Sequence, residues 1–242
     1  MLRTIWAGFA AVMVTIPLAL ATLAVAAVRS NAHAIDHITR LWARLIVNAA
    51  GIDLRAEGTE TIDRKQRYII IANHYSYFDI PCIFAAIPQP IRFMAKISLF
   101  KIPIFGWAIG RAGFIPIDRK NRRTAVKSFE LAVQRIRKGN TVVVFPEEGR
   151  SRERTMRQFQ RGGFLLALRS GLPILPVAIV GTYDVFSAHA KRVTPGPVTV
   201  KVGTPIPTEG LTVREKDRLL TESREQILAM LNLPPAASAP RA

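Results

Sequence analysis

Residues 68–87 read YIIIANHYSYFDIPCIFAAI, and three physical regimes follow one another within them. Tyr68 to Ala72 are apolar and largely β-branched, the composition of a strand buried on both faces. A polar stretch, Asn73-His74-Tyr75-Ser76-Tyr77-Phe78-Asp79, comes next. Pro81 then belongs in the first turn of a helix, where its missing N–H costs nothing. Residues 80–87 therefore read as a short helix with Asp79 as its N-cap. Strand, polar loop and capped helix together make one unit of an α/β sheet.

The same alternation continues downstream. Apolar runs predict strands over 91–95, 114–117, 141–145, 174–180 and 198–202. Helical spacing predicts helices over 122–137, with Val126, Phe129, Val133 and Ile136 on one face, then over 164–168 and 213–231. Gly139-Asn140 closes the first of these helices and Gly171 the second. The expected fold is a single α/β domain over 66–232, with a central, largely buried β-sheet flanked by helices. Residues 233–242 are proline- and alanine-rich and read as a disordered tail.

Upstream, residues 5–28 carry no charge over 24 positions. That is roughly 36 Å of helix, enough to cross a hydrocarbon core of about 30 Å. The apolar run exceeds the ~7–15-residue apolar core of a signal peptide, so residues 1–30 read as a retained transmembrane anchor. Arg29, Arg40 and Arg44 outnumber Arg3, which places the body on the cytoplasmic side (of the inner membrane, in a bacterium). Residues 31–65 read as an amphipathic helix over 38–52 and a connection. That helix packs either on the core or in the headgroup layer beside Trp42.

The charge balance narrows the partner. The 242 residues hold 34 basic and 17 acidic side chains, a net +17, which calls for an anionic partner. No finger, RNP-like string or basic zipper is present, so nucleic acid is disfavoured. Anionic membrane lipids and phosphorylated substrates remain. A single cysteine, Cys82, excludes an intrachain disulfide and a multi-cysteine metal site, and the four histidines are too scattered for a metal cage.

Three polar clusters stand at predicted strand ends, where α/β sheets place their sites. In the first, His74 is a natural general base and Asp79 can fix its tautomer. Five helical steps of about 100° would hold the two about 140° apart. They meet only if His74 lies in the loop and Asp79 where the helix starts. The second cluster, residues 110–119, ends in Asp118-Arg119, and Arg119 could grip phosphate. The third, Pro146-Glu147-Glu148-Gly149-Arg150-Ser151, presents two carboxylates and a guanidinium on a turn. Arg150 could fork a phosphate, and Glu147 could bond a hydroxyl or orient the arginine. No G-x-S-x-G elbow and no nucleotide-binding glycine loop occurs.

These blocks resemble the glycerolipid acyltransferases, the 1-acylglycerol-3-phosphate acyltransferase group. NHYSYFD is similar to that family's NHxxxxD signature, FPEEGRS to its FPEGTRS block, and Leu175-Pro176-Val177-Ala178-Ile179 to its late proline-bearing block. Glu148-Gly149 stands where the family has Gly-Thr, and GFIPIDR is longer than its usual GxxFIDR. The resemblance implies acyl transfer from acyl-CoA or acyl carrier protein, with no further cofactor and no metal, to a lysophospholipid acceptor. It implies His74 as base, Asp79 as its partner, and Glu147, Arg150, Arg119, Gly149 and Ser151 around the acceptor.

A thioester is already activated, so such chemistry needs a base, an oxyanion donor and positioning. The expected oxyanion donors are backbone N–H groups near His74. Residues 102–107 are apolar and read as a surface facing membrane or acyl chain. All three clusters lie beyond residue 66, so deletion of residues 1–29 is expected to leave the site whole. The competing expectations are an acyltransferase for another lysolipid, such as an amino-acid-containing one, and a non-catalytic basic membrane-anchored lipid-binding module.

Overall fold

The computed structural model describes residues 2–28, 32–118, 122–137 and 139–234. Arg119 lies outside these, as does most of the predicted tail. The elements in chain order are α1 (Leu2–Val28), α2 (Ala32–Ala50), β1 (Ile52–Glu57), β2 (Ile69–Ala72), α3 (Asp79–Ala86), β3 (Ile91–Lys96), α4 (Phe105–Arg111) and β4 (Ile115–Ile117). They continue with α5 (Arg122–Arg137), β5 (Thr141–Val144), α6 (Gly162–Ser170), β6 (Ile174–Val180), α7 (Thr182–Phe186), β7 (Gly196–Val202) and α8 (Lys216–Met230).

Seven strands form one sheet in the order β1-β7-β6-β2-β5-β3-β4. Every neighbouring pair is parallel except β6 with β7. The expected α/β class with a central sheet is therefore what forms. β2 sits at its centre, with Ile71 beside Val144 of β5 on one side and Pro176 of β6 on the other. Its side chains alternate between two cores: Ile70 and Ala72 join α2 and α3, while Ile69 and Ile71 join α6 and α8. Each such isoleucine contributes about 1.5–3 kcal/mol by leaving water.

One boundary departs from the sequence reading. The sheet begins at β1, ahead of the expected boundary at residue 66, because Ile52–Glu57 pairs in register with β7. Only Ile52 of that strand is buried, so its apolar signal is too thin to see. The apolar stretch 102–107, whose second half opens α4, presents Ile102 and Trp107 to the surface, with Gly106 buried.

α1, read as the membrane anchor, is long and apolar enough to cross a membrane, and one of its faces lies against the body. Val193 N–H donates to Thr4 Oγ1 (3.0 Å) and Trp42 Nε1–H to Thr15 Oγ1 (3.0 Å). Ala7 joins the core, and Ala10, Ala19 and Thr22 are buried. Ile5, Phe9, Val12, Met13, Ile16 and Leu20 form an exposed apolar stripe on the other side.

α2 is docked more firmly. Arg40 donates to the carbonyls of Ile87 and Gln89 (both 2.6 Å), beyond the C-terminus of α3. Asp36 pairs with Arg92 of β3 at 2.6 Å, both mostly buried. The inner face of α2 is core, while Leu41 and Leu45 stay exposed.

Candidate active site

β2 and β5 are parallel neighbours, so the loops that follow them leave the same edge of the sheet side by side. That places the first and third polar clusters together. His74 lies in the loop and Asp79 is the first residue of α3, the arrangement their spacing requires. His74 Nδ1 is 2.8 Å from Asp79 Oδ2. A carboxylate only accepts, so Nδ1 carries the proton and Nε2 is the nitrogen left for other chemistry. The imidazole stacks on Phe145, with centroids 4.1 Å apart and planes at 12°.

Asp79 is not the N-cap expected of it; Phe78 holds that position. The carboxylate turns back into the loop, where Oδ2 also accepts the N–H groups of Tyr75 (2.7 Å) and Ser76 (2.8 Å). Oδ1 accepts the Thr182 hydroxyl at 2.6 Å. Asp79 is fully buried, and four donors stabilise its charge there. Asn73 fastens the same loop to β6: its side-chain amide donates to Ile179 C=O (3.0 Å) and accepts Ile179 N–H (2.7 Å).

Glu147 does not face a substrate, contrary to expectation. It is 2% exposed; Oε1 accepts His74 N–H and Oε2 accepts Arg157 N–H, each at 2.7 Å. Ser151 is likewise buried and holds the loop from below, its N–H donating to His74 C=O at 2.8 Å. Both residues stitch the two loops together rather than line the cleft. The N–H groups of His74, Tyr75 and Ser76 are all taken by carboxylates, so they are not the expected oxyanion donors.

Burial pushes the Glu147 carboxyl up to about 7, against the lowering effect of its two backbone N–H partners. A folded-state value above the usual 4.5 means the folded protein binds the extra proton. The associated stability is full below about pH 4.5 and is lost as pH rises through about 7. Glu147→Gln should therefore flatten the dependence of Tm on pH across that window, as calorimetry at a series of pH values would read.

Arg150 and Gly149 do line a cavity, together with His74, Tyr77 and Glu148. Its volume is about 700 Å³, within the ~300–1,000 Å³ typical of ligand sites. The Arg150 guanidinium lies 3.5 Å above the Tyr77 ring centroid. Its Nη1 is buried and has no hydrogen-bond partner among the described residues. Lys96, at the end of β3, lines the same cavity; its place in an apolar run gave the sequence reading no signal for it.

Away from these charges the walls are apolar: Phe93, Leu99, Phe105, Ile109 and Phe114 from the body, Leu18 and Ala19 from α1, Trp42 from α2. Deleting residues 1–29 therefore removes a wall of the cavity, where an untouched site was expected.

Glu148 takes φ +55°, the left-handed region that favours glycine, at the position where the resembled block has Gly. Holding a side-chain-bearing residue there costs about 1 kcal/mol. Glu148→Gly should raise Tm by roughly 2–4 °C, as calorimetry would record.

Comparison with known proteins bears on the same residues. A family model described as Acyltransferase matches residues 53–180, a span that contains both loops. The chain is 27% identical to a chloroplastic 1-acyl-sn-glycerol-3-phosphate acyltransferase of Brassica napus, over 81% of this chain and 56% of that protein. It is 31% identical to the human 1-acyl-sn-glycerol-3-phosphate acyltransferase alpha, over 88% of this chain and 76% of that one. It spans about half the length of the chloroplastic relatives it matches. The crystal structure of the 1-acyl-sn-glycerophosphate acyltransferase PlsC from Thermotoga maritima superposes with a TM-score of 0.82 at 26% identity, over 96% of this chain and 94% of that one.

Proposed function

The chain belongs to the acyltransferase family, and from that premise we propose that it moves a fatty acyl group from an acyl thioester to the free hydroxyl of 1-acylglycerol-3-phosphate, giving phosphatidic acid. One observation carries the reading: His74, held by the buried Asp79, and Arg150 line a single, mostly apolar cavity. The relatives' names support the acceptor.

In this reaction His74 Nε2 takes the hydroxyl proton while the acceptor oxygen bonds to the thioester carbonyl carbon. The carbonyl pair moves onto oxygen, then returns as the C–S bond breaks. The departing thiolate collects the proton from His74, so base and acid are one residue. Asp79 holds the imidazolium that forms between the two steps. Arg150 and Lys96 meet the acceptor phosphate, and the acyl chain runs along the apolar wall. The donor is acyl-CoA or acyl carrier protein, and no cofactor beyond it is required.

The exposed stripe of α1, Leu41 and Leu45 of α2, and Ile102 and Trp107 together suit an in-plane seat in one membrane leaflet. The helix then keeps its contacts with the body, where α1 and α2 also supply walls of the cavity. Anionic lipids would meet the basic surface, with the body on the cytoplasmic side.

Glu148 favours a second reading. A carboxylate on the cavity wall beside Arg150 suits an acceptor head carrying a cation as well as an anion, such as a lyso-amino-acid lipid. The deciding assay crosses lysophosphatidic acid and zwitterionic lysolipids with both donors, reading thiol release and product mass. Acceptor-dependent release with phosphatidic acid as product supports the first reading. No thiol release with any acceptor would leave a non-catalytic lipid-binding module, and release that does not depend on acceptor would mean thioester hydrolysis instead of transfer.

A further inference from the structure

β6 ends at Val180, and the chain turns through Gly181 at φ +94°. No other residue fits that turn, since a Cβ on Gly181 would meet the Pro197 carbonyl oxygen. Thr182 follows as the first residue of α7, fully buried, with its hydroxyl donating to Asp79 Oδ1 at 2.6 Å. It does not line the cavity, so it touches neither substrate. Other contacts also sew the His74 loop to this corner: Asn73 bonds Ile179, Ser76 Oγ donates to Phe186 C=O at 2.7 Å, and Ser76 bridges Ser187.

We propose that Thr182 is a positioning residue for the transfer reaction, acting through Asp79 on the proton affinity of His74. The inference rests on the reading of His74 as the base. Asp79 Oδ2 is shared among His74 Nδ1–H and two backbone N–H groups, while Thr182 is the sole donor on Oδ1 among the described residues. That hydroxyl draws carboxylate charge away from the imidazole and fixes the plane of the carboxylate. Without it, more negative charge faces Nδ1, the imidazolium is held more tightly, and His74 keeps its proton to higher pH. The base is then protonated where it should be free.

Other charged or titratable groups around the pair are Glu147 on His74 N–H, the Tyr75 hydroxyl with Arg224 of α8 behind it, Cys82 of α3, and Lys96, Glu148 and Arg150 across the cavity. Substituting Thr182 removes none of them.

The test compares Thr182→Val and Thr182→Ser with the wild type in the full-length, detergent-solubilised protein. Thr182→Val should lower kcat roughly tenfold, leave both KM values in place, and move the acid limb of kcat/KM up by about half a pH unit or more. Thr182→Ser, which keeps the hydroxyl, should restore both. Thr182→Ala serves the same purpose if the valine variant does not fold. Because His74 is one of four histidines, its titration can be followed by NMR independently of turnover, and the same upward displacement is expected there.

An unmoved titration of His74 in the variant lacking the hydroxyl overturns the proposal, as does a raised KM with kcat unchanged or a serine variant no better than valine. A wild type without transfer activity but with the expected NMR displacement would instead count against the acyltransferase reading alone.

Discussion

His74→Ala lowers the rate of acyl transfer by about two to four orders of magnitude, the range for a lost general base, with the fold retained. The imidazole is held by one side chain and one ring face, Asp79 and Phe145, so its removal leaves the sheet untouched. The substrates should still bind, because the apolar wall and Arg150 remain. Circular dichroism and Tm report the fold, and thiol release reports the rate. A folded alanine variant running near the wild-type rate would end the proposed mechanism. Asp79→Asn should also cost turnover: its amide can donate to the Thr182 hydroxyl and accept the trio now on Oδ2, but it brings no charge to hold the imidazolium.

Arg150→Ala raises the acceptor KM by roughly 10–100-fold, the value of a charge-assisted bond or two, and leaves the donor KM nearly unchanged. The guanidinium is held by its stack on Tyr77, so little ordering remains to oppose binding. Arg150→Lys should recover part of the loss, because an ammonium restores charge but not the planar fork or the stacking. Steady-state kinetics with each substrate varied in turn separates the two constants. A donor KM that rises instead would move the phosphate site to the nucleotide end of the donor.

Some of this molecule was open to reading along the chain. β6 and α5 fall on the predicted residues, since a β-branched run and a 3.6-residue stripe are both local signals with glycine stops. The His74–Asp79 pair was legible too, because a strand, a short loop and a proline in the first helical turn leave it one geometry. β1 was not, since an edge strand with a single buried side chain has almost no apolar period. Nor was the seat of α1, whose composition suits lipid on every side and whose docking rests on small residues and two threonine hydroxyls.

The sequence by itself determined which chemical groups stand at the strand ends and that the sheet between them is buried. Which way those groups point was decided by tertiary structure. Glu147, read as a substrate contact, became a brace once β5 settled beside β2 and brought it to a backbone N–H 73 residues away. Thr182 carried no signal at all until β6 placed its hydroxyl on a carboxylate 103 residues distant. A side chain's direction is set by the partner that relieves its burial, and in a parallel sheet that partner comes from far along the chain.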